Sequence, residues 1–134
     1  MGENFRFTVN GEERCTQEDK PLLRYLRDDL HLHSVKDGCS EGACGTCTIV
    51  VDGKAVKSCV LTTRRAAGKN ILTLEGLSSR EQEAFVYAFG AKGAVQCGFC
   101  TPGMVMAGKA LIDKNPNPTE DEIKNAIRGN ICRC

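Results

Sequence analysis

The chain has 134 residues and a formal net charge of +1 at pH 7. A charge so close to zero gives no reason to expect nucleic acid or an anionic membrane as a partner. The sequence contains no run of about 20 apolar residues, so it predicts no membrane-spanning helix. Nine cysteines without an apolar N-terminal signal region favour a reducing compartment, the cytoplasm, and metal binding in place of disulfide bonds.

The first half of the chain predicts a small domain rich in β-strands. Alternating apolar residues predict a strand over residues 5–9, and Asn10-Gly11 is typical of a tight hairpin turn. A stripe of leucines from Leu22 to Leu30 then predicts a short helix that starts after Pro21. Further strands are predicted at 48–51, 55–61 and 71–74, the first two joined by a turn at Asp52-Gly53.

The second half predicts helices. One opens near Ser79 with early acidic residues, and one begins at Thr101-Pro102 and ends before the prolines that follow Asn115. Thr119 caps a third helix, which Gly129 is expected to end. The change in character after Gly76 predicts an α+β protein with two domains, residues 1–76 and 77–134.

Eight of the nine cysteines form two quartets, one in each half of the chain. The first quartet has the C-x4-C-x2-C…C spacing of plant-type 2Fe-2S ferredoxins and consists of Cys39, Cys44, Cys47 and Cys59. The second quartet consists of Cys97, Cys100, Cys132 and Cys134. Four thiolates hold one 2Fe-2S cluster, so the sequence predicts two clusters and an electron-transfer function. The ninth cysteine, Cys15, is interpreted as an ordinary strand residue.

The surroundings of both quartets suit an anionic cluster. Glycines flank three ligands of the first quartet and let backbone N–H groups turn inward. Cys97 and Cys100 directly precede a predicted helix, whose N-terminus stabilises negative charge. A tetrahedral zinc site is the main alternative, above all for the second quartet, because C-x2-C with C-x-C also suits zinc.

Five motifs resemble the iron–sulfur part of the molybdenum hydroxylases, the family of xanthine dehydrogenases, aldehyde oxidoreductases and carbon monoxide dehydrogenases. They occur in the family's order along nearly the whole chain. The motifs are Gly38-Cys-Ser-Glu-Gly-Ala-Cys-Gly-Thr-Cys, Asp52-Gly-Lys-Ala-Val-Lys-Ser-Cys, Thr73-Leu-Glu-Gly-Leu, Gln96-Cys-Gly-Phe-Cys-Thr-Pro-Gly-Met and Asn130-Ile-Cys-Arg-Cys. The pairing of the last two is the most specific of these features.

The resemblance implies a β-grasp ferredoxin-like domain followed by an all-α helical-bundle 2Fe-2S domain. It places Gln96 and Cys134 near a molybdopterin cofactor, and the first cluster nearer to solvent or to a flavin. It also implies a large molybdopterin-binding subunit or domain as partner, with an FAD-binding subunit or downstream domain as a further one. Relatives continue past Cys-Arg-Cys with a fourth helix, which residues 77–134 lack.

The predicted function is therefore electron transfer through two 2Fe-2S clusters, from a molybdopterin site to a flavin or an external acceptor. The catalytic molybdenum site of such an oxidoreductase lies outside this chain, so no catalytic residue is predicted here. A free-standing two-cluster ferredoxin that serves exchangeable partners is the alternative. The sequence does not distinguish among the substrates of the family.

Overall fold

A computed structural model describes residues 4–132 of the chain. The first half forms a five-stranded sheet with the strand order β2-β1-β5-β3-β4. The strands are β1 (Phe5–Val9), β2 (Glu12–Thr16), β3 (Thr48–Val51), β4 (Lys54–Lys57) and β5 (Asn70–Leu72). β1 pairs with β5 in parallel, while the pairs β1–β2, β3–β4 and β3–β5 are antiparallel.

The leucine stripe after Pro21 forms a short helix, as predicted. Helix α1 (Leu22–Arg24) continues as a π-helical turn over Tyr25–Asp29, closed by a 3.2 Å hydrogen bond from the Leu30 N–H to the Tyr25 carbonyl. Its leucines are buried beneath the sheet with Phe5, Phe7 and Ile71. This aliphatic cluster is the first core of the protein.

Three longer helices follow the sheet and a 3-10 turn at Leu74–Gly76. They are α2 (Ser79–Ala91), α3 (Thr101–Lys114) and α4 (Glu120–Ala126). Ser78 caps α2 and Thr119 caps α4, each in a reciprocal capping box with a glutamate three residues later. The predicted helices are therefore confirmed, and no helix between residues 4 and 132 combines the length and the hydropathy of a membrane span.

Strand β3 belongs to two cores. All four of its residues are buried, with Ile49 and Val51 in the first core and Val50 in a second one. The second core joins Val50 to Val105 and Met106 of α3 and to other apolar residues of the helical half. Because successive strand residues point to opposite faces, β3 carries the sheet core on one face and the helices on the other.

Three predicted element ends are wrong, and side-chain hydrogen bonds explain two of them. The strand predicted over 55–61 ends at Lys57, because the Ser58 hydroxyl donates a 2.8 Å hydrogen bond to the Cys47 carbonyl and the chain turns there. The strand predicted over 71–74 ends at Leu72, since the Thr73 N–H donates to the side chain of Asn10. The third helix ends at Ala126, three residues before Gly129.

Candidate metal centre

The loop between α1 and β3 surrounds Cys39 with hydrogen-bond donors. The backbone N–H groups of Ala43 and Cys44 each lie 3.3 Å from the Cys39 Sγ. Backbone N–H groups of Glu41, Cys44 and Ala43, in that order of strength, lower the pKa of the Cys39 thiol to about 7. The loop therefore stabilises negative charge on sulfur, as a cluster ligand requires.

Cys47 and Cys59 form a close pair at the base of this loop. Cys47 is buried just before β3, and Cys59 follows the turn that ends β4. Burial, and then the neighbouring Cys47 thiol, raise the pKa of Cys59 to about 11. The charge of the Cys39 sulfur adds a smaller rise to the pKa of Cys59, so Cys39 lies within electrostatic range of this pair. Crowded thiols resist joint ionisation until a cation binds among them, and a metal cluster supplies that charge.

The second quartet lies around the start of α3. Cys100 is the residue before the helix, and Thr101-Pro102 form its first positions, as the sequence predicts. Burial, and then the side chain of Cys132, raise the pKa of Cys100, and the charge of Cys97 adds to this effect. Cys100 and Cys132 are therefore in contact, and Cys97 lies within electrostatic range of Cys100. The fourth predicted ligand, Cys134, lies outside the described residues.

A cavity of about 370 Å³ lies between the two quartets. Its lining includes sulfur-bearing residues from both halves, namely Cys39, Cys44, Cys97, Cys100 and Cys132. The two quartets are also linked through the backbone, because the Ile131 N–H donates a 2.7 Å hydrogen bond to the Cys44 carbonyl. The fold thus places the two predicted cluster sites beside each other.

The other candidate residues differ in position. Gln96 is exposed next to Cys97, and Cys15 is exposed on the edge strand β2, away from both quartets. Between residues 4 and 132, no group of three or more Cys, His, Asp or Glu side chains is placed to hold a metal ion. The fit of the quartets to 2Fe-2S clusters therefore rests on their paired thiols and on the N–H donors around Cys39.

Three polar residues within the quoted motifs support these loops, although the sequence assigned no role to their side chains. The Thr46 hydroxyl lies 3.2 Å from the Cys44 Sγ and donates to the Lys36 carbonyl at 3.1 Å. The Lys57 ammonium donates a 2.7 Å hydrogen bond to the Gly42 carbonyl, inside the first loop. Asn130 donates to the Gly45 carbonyl at 3.0 Å. Each lies within two residues of a proposed ligand, which is the signal that the sequence offered. The contacts of Lys57 and Asn130 with the first loop, 15 and 85 residues away, could not be predicted from it.

Two family models together match residues 7–134. A 2Fe-2S iron–sulfur cluster binding domain matches residues 7–73, and a [2Fe-2S] binding domain matches residues 73–134. Both models describe binding of a 2Fe-2S cluster, which decides the choice between iron–sulfur and zinc in favour of iron–sulfur. The two predicted clusters are thereby confirmed as the cofactors of the chain.

Curated and solved relatives agree with these models. The chain is 49% identical over 133 residues to the nicotinate dehydrogenase small FeS subunit of Eubacterium barkeri, covering 94% of this chain and 82% of that one. It is 47% identical over 117 residues to the xanthine dehydrogenase iron-sulfur-binding subunit of Escherichia coli O157:H7, covering 85% and 73%. The structure of aldehyde oxidoreductase from Desulfovibrio gigas matches with a TM-score of 0.88 at 36% identity, over 98% of this chain and 15% of that one.

The two family models span both quartets, and the relatives agree with the resemblance read from the motifs. The chain therefore belongs to the molybdenum hydroxylase family, as the iron–sulfur component that transfers electrons through two 2Fe-2S clusters within a molybdenum-dependent oxidoreductase.

Proposed function

We propose that the first cluster is held by Cys39, Cys44, Cys47 and Cys59, and the second by Cys97, Cys100, Cys132 and Cys134. The close thiol pairs Cys47–Cys59 and Cys100–Cys132 carry this assignment, because two thiolates in contact need a bound cation to be stable. Each cluster, when bound, accepts and passes on one electron at a time. The chain's own contribution is to supply the thiolates, to direct N–H groups at their charge, and to hold the two sites together.

We further propose the division into a β-grasp ferredoxin-like domain, residues 1–76, and a helical-bundle domain, residues 77–134. Loops beside β3 and β4 carry the first quartet, and two cysteines of the second, Cys97 and Cys100, directly precede α3. This order matches the two family models, which meet at residue 73.

The second site is proposed to face a large molybdopterin-binding subunit. Cys97 and Cys132 are exposed, and three apolar side chains near them, Val95, Phe99 and Ile131, keep 46%, 46% and 54% of their surface exposed. An exposed apolar patch beside a redox site is typical of a docking surface. Gln96 is exposed directly before Cys97, beside this patch. We therefore propose that Gln96 and Cys134 approach the pterin. A free-standing ferredoxin would leave this patch in water.

Electrons would then leave by the first site, toward an FAD-binding subunit or another acceptor, in the cytoplasm. The relatives act on different compounds, as the names nicotinate dehydrogenase and xanthine dehydrogenase state.

Iron and acid-labile sulfide analysis of anaerobically purified protein tests the ligand assignment. Two full thiolate sets predict about four irons and about four sulfides per chain. Cys59→Ser and Cys100→Ser should each lower the content, while Cys15→Ser, which changes an exposed cysteine far from both quartets, should leave it unchanged. Iron loss in Cys15→Ser equal to that in Cys59→Ser would contradict the assignment.

A further inference from the structure

One small contact joins the two cluster sites, and we name it the Gly45 junction. It consists of Gly45, Thr48, Gly103 and the segment Gly129–Asn130. The Asn130 side-chain amide donates to the Gly45 carbonyl at 3.0 Å and lies 3.2 Å from the Thr48 hydroxyl oxygen. The same Gly45 carbonyl also accepts hydrogen bonds from the Thr48 hydroxyl, at 2.7 Å, and the Thr48 N–H, at 3.1 Å.

The backbones at this junction approach so closely that no side chain fits between them. A Cβ atom on Gly103 of α3 would lie 2.4 Å from the Gly45 carbonyl oxygen and 3.2 Å from the Thr46 Cα. A Cβ atom on Gly45, whose φ is +78°, would lie 2.4 Å from the Gly129 carbonyl oxygen. Both obstructing atoms belong to the backbone, so a methyl group at either position must displace a chain segment.

Each segment of the junction is only a few residues from a proposed ligand. Gly45 follows Cys44, Gly103 lies three residues after Cys100, and Asn130 lies two residues before Cys132. A shift at the junction therefore moves ligands of the two sites relative to each other. The hydrogen bond from the Ile131 N–H to the Cys44 carbonyl, at 2.7 Å, continues the contact toward Cys132.

We propose that Asn130 is a positioning residue, and that the Gly45 junction sets the placement of the second cluster relative to the first. This inference rests on the proposed ligand assignment and adds residues that bind no iron themselves. The amide of Asn130 fixes the segment that carries Cys132, and Gly103 lets α3 lie directly on the loop that carries Cys44. The distance and orientation between the two redox sites then follow from contacts of the backbone.

The test compares two junction variants with two matched controls. Asn130→Ala removes the amide, and Gly103→Ala introduces the obstructed methyl group. Asn125→Ala changes an exposed asparagine of α4, and Gly108→Ala adds a Cβ in the same helix α3, where the nearest atom, of Phe85, is 3.7 Å away. All four are studied as the full chain with clusters bound, beside the wild type.

Two readouts separate positioning from general destabilisation. In the fully reduced protein, the magnetic interaction between the clusters, seen as splitting in EPR spectra, depends on their separation and orientation. The second readout is the rate at which each cluster is lost to an iron chelator, followed by visible circular dichroism. Since Asn130→Ala removes two hydrogen bonds, we expect about tenfold faster loss of the second cluster, with the first nearly unchanged.

We expect both junction variants to alter the EPR splitting and both controls to retain it. The proposal is overturned if the junction variants show the same EPR splitting and the same rates of cluster loss as their controls. Loss of both clusters at one common, accelerated rate would also overturn it, because it indicates destabilisation without selective positioning. Where Gly103→Ala does not fold, Asn130→Ala decides, since it leaves the backbone contact open. The iron content of the wild type tests the ligand assignment separately from all of these outcomes.

Discussion

Replacing Val50 by alanine should weaken the helical half of the protein, although Val50 belongs to the sheet. Val50 is 5% exposed and packs with Leu77, Val105, Met106 and Ala110 in the second core. The substitution removes two buried methyl groups and leaves a cavity, which together cost roughly 2–3 kcal/mol of unfolding free energy. For a chain of this size we expect the midpoint of thermal unfolding to fall by roughly 5–10 °C.

The measurement is thermal unfolding at one fixed scan rate, followed by far-ultraviolet circular dichroism and by the visible absorbance of the clusters. Val60→Ala is the control, because Val60 is 57% exposed and its truncation should change the unfolding free energy by no more than about 0.5 kcal/mol. Val51→Ala tests the opposite face of β3, where Val51 is buried in the first core.

Because β3 contributes to both cores, Val50→Ala and Val51→Ala should lower one shared transition, seen at the same temperature by both probes. A shift in Val50→Ala no larger than that in Val60→Ala would refute the reasoning. Two separate transitions, each sensitive to only one of the variants on β3, would show that the halves unfold independently and that β3 does not couple them.

Three further changes test polar contacts outside the proposed ligands. The Thr101 hydroxyl oxygen is buried without a hydrogen-bond partner among residues 4–132, so Thr101→Val should raise the free energy of unfolding by about 1 kcal/mol in denaturant titrations. Lys109 is largely buried and donates to the carboxylates of Glu81 and Asp113, so Lys109→Met should lower the free energy of unfolding by roughly 1–3 kcal/mol in the same assay. The control Lys124→Met breaks an exposed ion pair and should lower it by no more than about 0.5 kcal/mol. Lys57→Gln removes a positive charge from the first cysteine loop and should lower the reduction potential of that cluster in a redox titration, while Lys54→Gln, at an exposed position of β4, should change it less. An equal shift in both lysine variants would contradict a local role for Lys57.

Local signals in the sequence predicted much of the fold. Asn10-Gly11 and Asp52-Gly53 form the expected hairpin turns, and all four residues have positive φ angles that such turns require. Ser78 and Thr119 cap their helices through hydroxyl groups, and α3 ends before Asn115-Pro116. In each case the physical cause lies within four residues of the element it determines, so it can be read from the sequence.

Contacts between distant segments could not be read in this way. The π-helical turn at Tyr25–Asp29 contains the buried Tyr25 and Leu26, yet no local residue pattern distinguishes it from a continued α-helix. Asn130 and Gly45 are 85 residues apart, and no local sequence pattern around either residue indicates that they are in contact. The role of β3 in two cores could not be predicted from the sequence either. A run of four apolar or small residues indicates a strand that is covered on both faces, but it does not show which elements cover each face.

The cysteine spacing predicted the chemistry of the two sites, but it did not predict how the sites are placed relative to each other. That placement depends on contacts between distant segments. A spacing such as C-x2-C reflects how one short loop presents two thiolates, and it is therefore visible in the sequence. The relation between the two clusters depends instead on β3, which both cores share, and on the Gly45 junction, where three segments meet through their backbones. Electron transfer between fixed sites needs that relation to be stable. A chain with two full sets of cysteines but a side chain in place of Gly103 would keep the thiolates for both clusters and lose the close packing that holds them in register.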